Sequence, residues 1–232
     1  MGIRDELAAQ GFFERAAAID PALVARARAA VIAAHARSVP TVTAFLDDAL
    51  WELREQLLPI ARDAVGGDVV SMPAYWAWHV GPGATGWPPH RDRHTLFRAE
   101  DGTLACVTLW VALTDATPAN GCMYCVPSYW DFEYERADPG VVVANEQHLR
   151  ALPAAAGTVL GWTHSLLHWG GACGPDAAPR ISASYEMVRT DVAAEAGIVG
   201  VRGAGIPPRE ERAAIVDAQI AQYRHFTEPG GA

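Results

Sequence analysis

The chain lacks what would tie it to a nucleic acid, a membrane or an oxidising compartment. Its 18 basic residues are outnumbered by 27 acidic ones, for a formal net charge of −9. Phosphate backbones call for a basic face, so no nucleic-acid partner is expected. No apolar run reaches the roughly 20 residues that span a bilayer, so no membrane partner is expected either. The N-terminus has no basic region followed by an apolar one, as a secretory signal would. Glu6 stands where N-myristoylation after Gly2 would need Ser or Thr. Cysteine is scarce: Cys106, Cys122, Cys125 and Cys173. Cys122 and Cys125 have the spacing of half a zinc site or a redox pair. No second CxxC or HxxxH accompanies them, and they lie in a strand-like run. Free thiols in a reducing cytoplasm are the expectation. Nothing in the sequence speaks to oligomeric state.

Internal repeats and low-complexity linkers are also missing. Residues 1–232 are read as one domain, with a helical part over 1–68, a β core over 69–190 and a C-terminal loop and helix over 191–232. Asp20 before Pro21 is an N-cap with proline at N1, and alanine-rich sequence continues to about Arg37. A second helix is expected from about Thr43 to Ala64, with Phe45, Leu46, Ala49, Leu50, Leu53 and Leu57 at helical spacing. Gly66 and Gly67 end it. β-rich runs follow at Val69–Val80, Ala105–Leu113, Met123–Pro127, Gly157–Thr163 and Arg180–Val188, separated by turn residues. Short strands without a βαβ rhythm indicate a mainly β fold with flanking helices, an antiparallel sandwich or barrel. A last helix is expected over 206–226, opened by Pro207 and Pro208.

Three motifs carry chemistry. In an extended segment, His90 and Asp92 point to the same side and present an imidazole and a carboxylate together. A second histidine from elsewhere would complete a facial triad with open positions on Fe(II). Both His164 and His168 are available for that role. Twelve residues after His168 comes Arg180-Ile-Ser182. On one strand face, its guanidinium fork and hydroxyl can hold the distal end of a dicarboxylate. The run Thr108 to Asp131 alternates, then turns through Asp115-Ala-Thr-Pro-Ala-Asn-Gly121.

In this order, the motifs resemble the phytanoyl-CoA dioxygenase family, which includes ectoine hydroxylase. The resemblance rests on His90-Arg91-Asp92, Trp110 to Gly121, Pro127, His168 and Arg180, and covers about residues 69–188. It implies a double-stranded β-helix, the jelly-roll or cupin-like barrel, that uses Fe(II), 2-oxoglutarate and dioxygen. It implies His90, Asp92 and His168 as iron ligands, and Arg180 and Ser182 as the holders of 2-oxoglutarate. Thr108 falls where ectoine hydroxylase has a hydroxyl residue that also touches the cosubstrate. The family pattern Pro-Gly-Ser-His is here Pro127-Ser128-Tyr129-Trp130. Halogenases on this scaffold replace the carboxylate by Gly or Ala; Asp92 keeps it, so oxygenation is expected. The competing class is a cupin-like isomerase or hydrolase without 2-oxoglutarate, which Arg180-Ile-Ser182 argues against.

The eight tryptophans are many for this length, and several cluster between Trp76 and Trp110. Trp78, Trp87, His94 and Tyr124 are tied by sequence to the metal motifs and are the expected substrate contacts. An aromatic-walled pocket for a small, largely apolar or ring-containing metabolite follows. The chain has no basic cluster for the phosphates of an acyl-CoA.

Overall fold

The computed structural model describes residues 1–93, 98–136, 140–141 and 145–223. Helix α1 (Ile3–Gln10) ends at Gly11, whose φ of 83° places it in the left-handed region. Strand β1 (Phe12–Arg15) follows, then α2 (Pro21–Ala36), α3 (Asp48–Val65), β2 (Val69–Val80), β3 (Cys106–Ala112) and β4 (Met123–Val126). The remaining elements are β5 (Arg150–Leu152), β6 (Val159–Trp162), β7 (Leu167–Gly170), β8 (Arg180–Arg189), α4 (Thr190–Glu195), β9 (Val201–Arg202) and α5 (Arg209–Gln222). None of the described helices is long and apolar enough to cross a membrane.

The strands form a six-stranded sheet, in the order β1-β6-β3-β8-β2-β9, and a three-stranded sheet, β5-β4-β7. Every described pair is antiparallel. This is the mainly β, helix-flanked architecture of a double-stranded β-helix. One face of the larger sheet packs under the helices. Val107, Leu109 and Val111 of β3, with Ile181, Ala183 and Tyr185 of β8, join one buried cluster with Phe45, Trp51 and Leu57. The other face turns to the smaller sheet. Because side chains alternate along a strand, each strand serves both faces.

The helix caps follow the sequence. The Asp20 side chain accepts a hydrogen bond from the Ala22 amide at 3.0 Å, and Gly66 closes α3 with φ 74°. The expected start at Thr43 is too early. Residues Thr41–Leu46 form a 3-10 helix, and Asp47 then accepts from the Ala49 amide and restarts the chain as α3. Short elements were absent from the expectation: α1, β1, β5, β7, α4 and β9 hold two to eight residues each. Segments of that length carry too few periods for their pattern to be read. The described part of the last helix stops at Gln222, and residues 224–226 of the expected one lie outside the described residues.

Candidate metal centre

Side chains directly opposite one another on neighbouring strands share a face. In the larger sheet, Thr108 stands opposite Glu186 and Trp162, and Trp110 opposite Ser184. Trp76 and Trp78 of β2 stand opposite Ser184 and Ser182. The inner face of β8 therefore reads Arg180, Ser182, Ser184, Glu186. Met123, His168 and Gly170 complete the cavity from the smaller sheet.

His90 and His168 meet across this cavity as an antiparallel bridge. Each backbone amide donates to the other's carbonyl at 3.0 Å. Asp92, two residues on, turns to the same side. Ligand atoms of His90, Asp92 and His168 all lie within 4.8 Å of one another. The Nδ1 atom of His90 lies 2.8 Å from the Pro88 carbonyl, and that of His168 lies 2.9 Å from the Leu166 carbonyl. A carbonyl only accepts, so both Nδ1 atoms carry the hydrogen and both Nε2 lone pairs are free for a metal. These Nε2 atoms face the same oxygen, Asp92 Oδ1, at 3.6 and 3.5 Å. The other oxygen, Oδ2, accepts from the Thr108 hydroxyl at 2.6 Å and the Trp162 indole N–H at 2.8 Å. Burial opposes the charge on Asp92, but His168 and His90 hold its carboxyl far below the ordinary range. Burial lowers His168 to about 4. For His90, burial is outweighed by Asp92 and the pKa is raised. Two imidazoles around one carboxylate are the donor set for a divalent first-row metal.

Arg91 faces the other way. Its guanidinium makes a bidentate pair with Asp131, at 2.7 and 3.1 Å, and also donates to the Ser165 carbonyl. The segment carrying two of the three candidate ligands is thus fixed from outside by a buried ion pair. This pairing is not legible in the sequence, because Asp131 lies 40 residues away.

His164 is not brought into the triad. It lies with Nε2 3.1 Å from Cys106 Sγ and 3.6 Å from Glu186, and burial lowers its pKa to about 4. Burial, with the charge of Asp92 added, pushes Glu186 up to about 8.

Arg180 is 1% exposed and lines the same cavity as the triad. Its Nη1 donates to Ser182 Oγ at 3.2 Å. Its Nε is buried without a partner, and no carboxylate pairs with it among the described residues. Burial lowers its pKa to about 10. A Cβ at Gly86 or Gly170 would stand 2.9 or 2.7 Å from Nη2, so two glycines clear the space around the fork. The indole N–H of Trp110, on the same cavity, is likewise buried and unpaired. A desolvated cation and two orphan donors fit an anionic group such as a carboxylate. Ser182 orients Arg180 and is not itself on the cavity wall. Thr108 spends its hydroxyl on Asp92.

Of the expected substrate contacts, Trp78 and Trp87 line the cavity, in edge contact at 4.8 Å between centroids. Tyr124 does not. On β4 the inward residue is Met123, and Tyr124 turns outward to stack on Trp169 at 5.9 Å. His94 lies outside the described residues. Tyr129 and Trp130, where the sequence departs from the family pattern, are exposed and away from the cavity. Sequence reading missed Trp162, Glu186, Gln219 and Tyr223 as cavity residues. The alternation of β8 starting from Arg180 would have found Glu186.

A family model described as phytanoyl-CoA dioxygenase matches residues 2–177, which includes His90, Asp92 and His168 and stops short of Arg180. No curated protein sequence matches the chain. Among solved structures, the non-haem monooxygenase ThoJ in its apo form has a TM-score of 0.70 at 15% identity, covering 97% of this chain and 98% of its own. The epimerase SnoN, in complex with Fe3+, alpha ketoglutarate and nogalamycin RO, gives 0.63 at 17%, covering 89% and 92%. EctD from S. alaskensis, with 2-oxoglutarate and 5-hydroxyectoine, gives 0.62 at 16%, covering 81% and 75%. At such identities the likeness shows a shared fold.

Proposed function

The chain belongs to the phytanoyl-CoA dioxygenase family and is an Fe(II)- and 2-oxoglutarate-dependent dioxygenase; we propose that His90, Asp92 and His168 hold its iron and that Arg180 holds the far carboxylate of 2-oxoglutarate. One observation carries this assignment. Two imidazoles and a carboxylate, each oriented by a second hydrogen bond, converge beside a buried guanidinium that has no acid partner.

Bound iron and 2-oxoglutarate, with dioxygen, supply the oxidising power to remove hydrogen from a substrate carbon; the cosubstrate leaves as succinate and carbon dioxide. The chain supplies position and exclusion of water. The Pro88 and Leu166 carbonyls fix the imidazole tautomers. Thr108 and Trp162 hold Asp92 by one oxygen and leave the other for the metal. Ser182 sets the Arg180 fork. Trp76, Trp78, Trp87 and Tyr223 pack against one another at centroid distances of 4.8–5.9 Å and shield the cavity.

Trp78 and Trp87 are proposed as substrate contacts, with Glu186 and Tyr223 added to them, and His94 is kept from the sequence. The substrate is read as a largely apolar or ring-containing metabolite in a biosynthetic tailoring step. The presence of nogalamycin RO in the SnoN complex is consistent with such a role. The whole of 1–232 is read as one catalytic domain, since a single buried cluster draws on Ile3 through Val216. Four unpaired, buried cysteines support a cytoplasmic setting.

The test is anaerobic loading with Fe(II), then succinate release on adding oxygen, 2-oxoglutarate and a panel of small metabolites. Product mass and stereochemistry then separate hydroxylation from desaturation, cyclisation and epimerisation. Stoichiometric iron without any 2-oxoglutarate binding would instead favour the cupin-like isomerase or hydrolase.

A further inference from the structure

Three hollows meet at Trp87. It borders the cavity that holds the triad and Arg180, about 60 Å³. It borders the opening between Tyr223, Glu186 and the metal ligands, about 240 Å³. It also borders an outer groove of about 790 Å³. Small-molecule sites usually measure about 300–1,000 Å³. Neither inner hollow reaches that, and the cosubstrate claims part of the space. The groove has the size, and it shares Trp87 and Pro88 with the opening and Trp76 and Trp78 with the cavity.

The groove walls come from residues 38–41, the second half of β2, residues 85–89 and the end of β7. Rings of Trp78, Trp87 and Trp169 face it, with Pro40, Pro88 and Pro89 beside them. No Asp, Glu, Lys or Arg is among its described lining residues. Among those described lining residues the one titratable group is His79. That ring stacks on His35 at 3.7 Å, and burial together with His35 lowers its pKa, so it is neutral near pH 7. The rim is tied down: the Thr41 hydroxyl donates to the Ala77 carbonyl at 2.5 Å, and Thr85 bridges to Ala172. Ser38, on the rim, has φ 55°, a backbone that side chains other than glycine seldom adopt and that recurs at ligand clamps.

Building on the proposed metal centre, we propose that this groove is a second substrate subsite. It takes the neutral, fused-ring remainder of a substrate whose reacting carbon enters through the opening beside Trp87. Flat rings pack well on indole faces. A phosphate or carboxylate placed here would lose its water and find no cation among the described lining residues; the nearest, Arg180, lies behind Gly86 and Gly170 at 1% exposure and is given to the cosubstrate. The anionic head of an acyl-CoA is therefore refused, and a neutral polycycle is accepted.

The test uses two fluorescent probes on the Fe(II)- and 2-oxoglutarate-loaded protein under anaerobic conditions. One is neutral N-phenyl-1-naphthylamine; the other is its sulfonated relative, 8-anilinonaphthalene-1-sulfonate. Exposed Ala172 and Val39 on the groove are each changed, as Ala172→Asp and Val39→Asp. The neutral probe is expected to bind at least about tenfold tighter than the sulfonate, and each substitution to weaken it about tenfold by adding an unpaired charge. Affinity for 2-oxoglutarate, measured by calorimetry, stays unchanged in both variants. Equal binding of the two probes, or neutral-probe binding indifferent to both substitutions, overturns the subsite. Loss of 2-oxoglutarate binding in the wild type, with probe binding intact, would overturn the metal-centre reading and leave the groove standing.

Discussion

The two faces of the larger sheet divide the molecule's work. On β8, Ile181, Ala183 and Tyr185 enter the core beneath the helices, while Arg180, Ser182, Ser184 and Glu186 look the other way. On β3, Val107, Leu109 and Val111 go to the core, and Thr108 and Trp110 to the cavity. The helix-facing side is filled mainly with apolar side chains, with Arg54 bonded to Ser71 beside them. The cavity side holds buried polar groups whose partners are incomplete: the Arg180 Nε and the Trp110 indole N–H have none. A one-residue slip of either strand would exchange the two sets, so the packed face is what keeps the register of the chemical one. Stability and catalysis should therefore be separable by substitution within a single strand pair.

The sharpest break is Asp92→Ala. It removes the proposed charged ligand and is expected to abolish both iron binding, read by metal analysis, and succinate formation. Its melting temperature should fall modestly, since the buried Trp162 N–H and Thr108 hydroxyl lose their acceptor. The opposite break is Trp51→Ala on the helix side. Trp51 is fully buried, packs against Phe45 and Tyr75, and donates to the Phe45 carbonyl at 2.7 Å. Its truncation is expected to cost about 3–5 kcal/mol in denaturant unfolding. Affinity of the folded fraction for 2-oxoglutarate should stay the same.

The difference between the faces also decides what could be read from the sequence. Strand alternation puts Thr108 with Trp110 on one face of β3, and Trp76 with Trp78 on one face of β2, and the pairing agrees. The His-x-Asp spacing brought two of the candidate ligands to one side of one segment. The choice of His168 over His164 came only through the family resemblance, since both precede Arg180 at plausible distances. What stayed hidden depends on contacts across the fold. Arg91 finds Asp131, and α5 brings Gln219 and Tyr223 to the cavity. Tyr124 was misjudged because its strand has only four residues, too short to show which parity faces inward.

On the cavity face, Arg180→Ala is expected to weaken 2-oxoglutarate by about 3 kcal/mol, on the order of a hundredfold in KM, and Arg180→Lys to recover part of it. A change in kcat with KM untouched would remove Arg180 from cosubstrate binding. The smallest expected effect is at Glu186, which sits at about 8 against a usual 4.5. The folded state holds its proton where the unfolded chain has lost it. That stability is fully present below about pH 4.5 and is lost as pH rises through 8. Glu186→Gln cannot ionise, so metal-free variant and wild type should diverge as pH rises from 5 to 9, with the variant gaining relative stability. A pH-independent difference between them would mean that Glu186 is already ionised at low pH.

The measurement that bears most directly on the account is an anaerobic Fe(II) titration in the presence of 2-oxoglutarate, followed by visible absorbance, on wild type, His168→Ala and His164→Asn. Wild type and His164→Asn should each take one iron per chain and develop the same 2-oxoglutarate-dependent absorbance, while His168→Ala develops none. Full absorbance in His168→Ala with its loss in His164→Asn would contradict the triad of His90, Asp92 and His168.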